Sequence, residues 1–358
     1  MTSDKTYVAT IHIYLSVMTI GLMIFGTSAA ASTPVVQPKI ITEKVRHDSD
    51  DPAIWIDRKD PSRSLVLGTD KDADGALFAF GLDGKVLPEL TIRGLLRPNN
   101  VDVAYGVILG GKKIDIAVVT ERYAHRLRIF SLPDMRPVDG GGINVFEGER
   151  AREVMGVALY TRPSDGAVFA IVSRSSQFAP QSGYLHQYRL IDDGSGTLRG
   201  IKVRAFGNWS GLKEIEALSV DAASGLVFAS DETYGIREYR ADPAAENANE
   251  ELSVFGLKGF VRDQEGSAVF QEASGNTLLL VSDQQAGALR VFDLKTRSAA
   301  KESYRLVGRV QITAKETDGI DLTSTPLPGF PNGLLVAMSA DRTFHLYDLG
   351  EILRAIRP

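Results

Sequence analysis

The chain has 358 residues, enough for one large β domain or two ordinary ones. Its net charge of -5 and the lack of any basic run exclude a nucleic-acid footprint. It has no cysteine, which excludes disulfides, thiolate metal sites and a cysteine nucleophile.

The N-terminus reads as a targeting segment. Lys5 precedes a mostly apolar run from Tyr7 to about Phe25, and small residues (Thr27 to Ala31) close it. That order predicts a secretory signal over residues 1–31, cleaved near Ala30 or Ala31. An uncleaved membrane anchor is the alternative, because the run is near the lower limit of a spanning helix. The expected product is exported, periplasmic or extracellular, with no stable membrane association after cleavage.

One short pattern then recurs along the chain. An apolar residue is followed by an aromatic and, in most copies, a Leu: Leu77 to Leu82, Leu127 to Leu132, Leu185 to Leu190, Ile236 to Ala241, Leu289 to Leu294, and Phe344 to Leu349. The aromatics are Phe80, Phe130, Tyr188, Tyr239, Phe292 and Tyr347, with a period of about 53 residues. A continuous apolar run precedes each copy, such as Ile116 to Val119 or Leu278 to Val281. Such runs suit strands covered on both faces. A further strand lies earlier in each unit, beginning near Ala53, Val101, Val157, Ala217, Ser267 and Ile320. Six antiparallel meanders of four strands predict an all-β fold, a six-bladed β-propeller around a central channel. It spans residues 32–358 as one domain, closed by a segment near residues 38–46 pairing with the last blade. A short helix is expected over Gly350–Arg357.

In a meander, the start of one strand and the end of the next share a side of the sheet. Polar clusters at those points therefore converge on one mouth. The first set includes Asp50, Asp51, Asn99, Glu216, Asp263, Glu265 and Asp318; the second includes Lys71, Arg122, Arg174, Asp231, Glu232, Gln284 and Arg342. Carboxylates that close repel unless neutralised. An oxygen-rich set suits a hard cation, calcium before magnesium or zinc. Basic residues at the rim suit a polyanion such as a phosphorylated ligand. Any single acid here is better read as a turn residue bonded to its own backbone; it is the recurrence from blade to blade that points to a site.

These residues resemble the β-propeller phytases. The likeness runs from Asp48-Ser-Asp-Asp-Pro-Ala-Ile-Trp55 through Asn99-Asn-Val-Asp102, Asp115 to Arg122, Glu214-Ile-Glu-Ala217, Asp263-Gln-Glu-Gly266 and Val281 to Gln285, as far as Thr317-Asp-Gly-Ile-Asp321. The resemblance implies stepwise removal of phosphate from myo-inositol hexakisphosphate (phytate) by a monomer that holds several Ca2+ ions. It makes Asp50, Asp51, Asn99, Val101 (through its backbone oxygen), Glu216, Asp263, Glu265, Gln284 and Asp318 the metal set. It makes Lys71 and Arg122 phosphate-gripping cations, with Arg174, Asp231, Glu232 and Arg342 as further substrate contacts. Asp51, Glu216 and Asp318 would act through the metal, and Lys71 and Arg122 on the phosphoryl oxygens. Asp72, Met155 and Ser175 depart from the family pattern at phosphate-contacting positions. A propeller that only binds calcium or a phosphorylated ligand, and a calcium-dependent lactonase, stay open as alternatives.

Overall fold

The apolar runs form strands whose alternate side chains enter two different cores. In Lys112–Glu121, Ala117 and Val119 pack into one cluster with Trp55 and Leu67, while Ile116 and Val118 pack into another with Val157 and Val172. Six such clusters fill the six gaps between neighbouring sheets. Each fully buried Leu, Ile or Phe contributes roughly 1.5–3 kcal/mol. This double burial is why the runs do not alternate with polar residues.

The computed structural model describes residues 1–2, 34–272, 274–297 and 304–356. Six antiparallel sheets make a six-bladed β-propeller. Blade 1 comprises Ser49–Trp55, Leu65–Asp70, Gly75–Phe80 and Ile92–Leu95, and blade 2 comprises Pro98–Leu109, Lys112–Glu121, Arg126–Leu132 and Ile143–Asn144. Blade 3 is Val154–Thr161, Val168–Arg174, Ser182–Asp192 and Leu198–Asn208, and blade 4 is Ile215–Asp221, Leu226–Asp231, Gly235–Arg240 and Ser253–Phe255. Blade 5 is Gln264–Gln271, Thr277–Asp283, Ala288–Arg297 and Tyr304–Ile312. Blade 6 supplies Ile320–Thr323, Leu334–Ser339 and Thr343–Asp348. The first strand of each blade is innermost, and these six strands contact one another in a closed ring. The repeated aromatics all lie on third strands and are buried.

The ring closes through the N-terminal segment. Ile40–Ile41 pairs antiparallel with Thr343–Asp348 and is the fourth strand of blade 6. Lys39, Thr42 and Val45 add backbone bonds to Leu346, Phe344 and Arg342 at 2.8, 3.0 and 2.9 Å. Val35–Val36 also pairs parallel with Tyr304–Ile312, a fifth strand on blade 5 that the repeat did not predict. The C-terminal helix is Leu349–Ile356, starting one residue before the expected point; it buries Leu349, Ile352 and Ile356 between blades 5 and 6. Apart from its first two residues, the expected signal segment lies outside the described residues. Among the described residues no helix is long and apolar enough to cross a membrane.

Candidate active site

The innermost strands start two to four residues earlier than the apolar pattern suggests in blades 1 to 5, because each begins with a bulge. The pairing shifts register between Ser49 and Pro52, Pro98 and Val101, Val154 and Val157, Ile215 and Leu218, and Gln264 and Ser267. A bulge breaks the alternation and re-aims a side chain at a sheet end. The bulges present Asp50, Asn99, Met155, Glu216 and Glu265, and Asp318 stands just before blade 6. The next residue lies against a neighbouring backbone. A Cβ on Gly156 would come within 1.8 Å of the Glu216 carbonyl oxygen, and one on Gly266 within 2.4 Å of that of Asp318. Only glycine permits that approach.

The mouth is a cavity of about 320 Å³ lined by Asn99, Met155, Glu216, Glu232, Glu265, Gln284 and Asp318, with Lys71, Arg97, Arg122 and Lys213. Asn99 Nδ2 donates to Glu216 Oε1 at 3.0 Å and to Asp50 Oδ2 at 3.2 Å. Gln284 donates to Asp318. Lys71 pairs with Asp50, and with Asp318 at 3.5 Å. Lys213 pairs with Glu232, and with Asp263 at 3.0 Å. Arg122 Nε lies 2.8 Å from Glu153. Glu216, Glu232 and Glu265 each offer a carboxylate oxygen within 4.8 Å of the others.

Charge is costly here. Burial and the neighbouring carboxylates push Asp50 and Glu265 well above the usual carboxylate range. Burial and Glu216 push Glu232 up to about 7. Asp318 is raised by burial, with Glu216 adding to it. Burial opposes the charge on Lys71, yet Asp50, Glu216 and Asp318 hold its pKa above the ordinary lysine value. One layer deeper, Asp51 Oδ2 accepts from the Val101 amide at 3.0 Å. Asp51 lines a channel cavity of about 260 Å³ together with Asn100, Val101, Asp102 and Asp321.

The residues fit a hard cation. The donors are oxygens, and buried Asn99 Oδ1, Asp263 Oδ1 and Thr317 Oγ1 have no hydrogen-bond partner.

Three expected substrate contacts do not reach the mouth. Second strands end on a residue turned into the blade, and the next residue turns to the mouth, as the pleat requires. Asp231 is such a terminal residue: it is buried, 2.8 Å from Arg237 Nη2, and accepts from Ser210 Oγ at 2.7 Å. Arg174 is another. Its Nε and Nη2 donate to the carbonyls of Tyr184 and Gly183 at 3.0 Å each, Nη1 pairs with Glu149, and its guanidinium lies 4.0 Å from the Phe146 ring centroid. Arg342 is exposed on the rim and donates to the Arg46 carbonyl at 3.1 Å. Glu232 does reach the mouth, but as a partner of Glu216 and Glu265. Sequence reasoning missed Lys213 and Arg97. The Lys213-Glu214-Ile215-Glu216 stretch carries a signal for the first, since Glu216 is expected at the mouth.

A protein-family model described as Phytase matches residues 5–345. The chain belongs to this family. It is a phosphoric monoester hydrolase. This phytase-family chain is 27 % identical over 303 residues to the 3-phytase of Bacillus subtilis (strain 168), covering 82 % of this chain and 75 % of the relative. The crystal structure of the WD40 beta propeller domain of Doa1 matches with a TM-score of 0.46 at 12 % identity, covering 82 % of this chain and 77 % of that one.

Proposed function

We propose that the chain removes phosphate stepwise from phytate, in a calcium-dependent reaction at the mouth of the propeller. The observation that carries this reading is the meeting of two sets of charged side chains in one cavity. Carboxylates Glu216, Glu232, Glu265 and Asp318 line it together with Lys71, Arg97, Arg122 and Lys213. A phosphate ester needs both a cation-binding floor and positive charge on its oxygens.

Asp50, Asn99, Glu216, Glu232, Asp263, Glu265, Gln284 and Asp318 would hold calcium at the mouth; Asp51 and the Val101 carbonyl would hold it one layer deeper. Bound calcium supplies charge neutralisation and Lewis acidity. The residues do the rest. Asn99 and Gln284 fix the carboxylates by donating to Glu216 and Asp318. Lys71 and Arg122 turn from their carboxylate partners to the phosphoryl oxygens, where negative charge grows as water attacks phosphorus and the inositol oxygen leaves. Met155 closes blade 3 with an apolar side chain, so that sector orients substrate by shape. On this reading residues 1–31 direct export, and the mature chain works as a monomer outside the cytoplasm.

The test is phosphate release from calcium phytate by the purified mature chain, with and without chelator. Release that stops on chelation and resumes with calcium is expected. Tight phytate binding with no release would overturn the hydrolytic reading in favour of a binding propeller.

A further inference from the structure

Two kinds of connection open on the mouth side of the propeller: the turns from second to third strands, and the links from each fourth strand to the next blade. From the link into blade 2 to the link into blade 5, these connections carry an apolar crown. Leu96, Tyr123, Leu212, Leu257 and Val261 stand there, each next in sequence to a basic residue: Arg97, Arg122, Lys213, Lys258 and Arg262 in turn. Phe178 and Tyr234 stand there too, with the guanidinium groups of Arg150 and Arg237 at 3.6 and 4.8 Å from their ring centroids. All seven apolar side chains are exposed, from 37 % at Tyr234 to 62 % at Val261. Among the described residues, the opposite face exposes only Ile108 of this kind. The other exposed large apolar side chains, Met1 aside, lie on outermost strands.

Neither packing nor the site accounts for the crown. None of the seven lines the mouth cavity, and a soluble substrate as highly charged as phytate gains nothing from them. Phe178 is held at φ 63°, a backbone conformation costly for a bulky side chain, and its ring still stands in solvent.

We propose that the crown seats the protein, peripherally and reversibly, on a lipid surface bearing anionic headgroups, with the mouth turned toward that surface. Apolar side chains beside basic ones, and tyrosines with an apolar body and a polar tip, suit the boundary between headgroups and acyl chains. The fully exposed charges on these connections are Arg150, Lys258 and Arg262 against Glu147, a positive balance on a chain of net charge -5. Such a balance attracts an anionic leaflet. A second copy meeting the first through this crown would instead bring like charges together. Docking of this kind does not depend on the phytase reading: it sets where the protein sits, not what it cleaves.

The test is sedimentation of the calcium-loaded mature chain with vesicles of phosphatidylcholine, alone or mixed with phosphatidylglycerol, at one fixed calcium concentration. Wild type binds the mixed vesicles at least about tenfold more tightly than the neutral ones, and added salt weakens that binding. The double variant Leu212→Ser, Val261→Ser lowers affinity for mixed vesicles on the order of tenfold. The double variant Lys258→Gln, Arg262→Gln lowers it by a similar factor and flattens the salt dependence. Melting temperatures equal to that of wild type show both variants folded. Absence of wild-type binding, equal affinity for neutral and mixed vesicles, or undiminished binding by either folded variant overturns the inference. So does a wild-type dimer in sedimentation velocity that Leu212→Ser, Val261→Ser dissociates, since the crown then covers a second copy.

Discussion

Asn99 Nδ2 lies 3.0 Å from Glu216 Oε1, a hydrogen bond that crosses the mouth from blade 2 to blade 4. It passes over blade 3, where Met155 offers no polar group. The same amide reaches Asp50 in blade 1 at 3.2 Å. One neutral side chain thus fixes two carboxylates that the proposed calcium needs. Asn99→Ala leaves both without that donor, so stability in chelator falls by about 1–3 kcal/mol. Calcium affinity falls at least roughly tenfold. Urea unfolding and calorimetric calcium titration read the two effects; an unchanged midpoint and affinity would remove Asn99 from the site.

Gly156 tests the close packing of the inner ring. Its Cβ would meet the Glu216 carbonyl oxygen at 1.8 Å, and backbone cannot move aside as a flexible side chain can. Gly156→Ala is expected to cost about 1–3 kcal/mol or more and to lower activity by displacing Glu216. A melting temperature equal to that of wild type would show that blades 3 and 4 are further apart than described.

Arg174 has a structural role, and its neighbour His186 makes that role pH-sensitive. Burial and the Arg174 charge push His186 down to about 4, although Glu149 Oε1 lies 2.9 Å from its Nε2 and opposes the shift. Lys202 also disfavours the protonated ring; Phe146 and Tyr188 pack against it. The unfolded chain takes up this proton near pH 6.5, and the folded chain only near 4. The stability from a neutral His186 is therefore complete above pH 6.5 and lost as pH falls toward 4. Glu149, held below the usual range chiefly by Arg174, loses its contribution in the same direction. His186→Gln should melt with a shallower pH slope between 6.5 and 4.5 than wild type. Identical slopes would place the titration elsewhere.

Chelation should lower the melting temperature as well as the activity. Without a cation, Glu216, Glu232 and Glu265 face one another with Lys213 as the adjacent counter-ion. Calcium at about 100 times its Kd would add about 2.7 kcal/mol per site. Scanning calorimetry with chelator, then with excess calcium, reads this directly. A melting curve that ignores both would mean that no structural calcium is held.

The fold was legible because each blade repeats one aromatic at one place, and because double-faced burial gives unbroken runs such as Leu278 to Val281. The closing strand at Ile40–Ile41 falls within the segment near residues 38–46 expected to close the ring, an expectation that rested on the sixfold aromatic pattern. The parallel strand at Val35–Val36 was not, since two residues carry no pattern. At the mouth, Asp50, Asp51, Glu216, Glu265 and Asp318 stood out by recurring at one position of successive blades, and Asn99 through the family resemblance. Arg174 and Asp231 misled because they end second strands beside true mouth residues, and a one-residue step in a pleat reverses direction.

The most direct measurement of the central claim is the rate of phosphate release from phytate at saturating calcium by wild type, Glu216→Gln and Arg122→Lys. Glu216 lines the mouth and bonds to Asn99, and Gln keeps its volume while removing a full charge. Arg122→Lys keeps the charge and loses the fork of donors. Glu216→Gln should slow release by about 10²-fold, and Arg122→Lys by about tenfold, or about 1.4 kcal/mol in the barrier, with both proteins folded. Release at the wild-type rate by both variants would contradict the assignment of this mouth as the place where phosphate is cleaved.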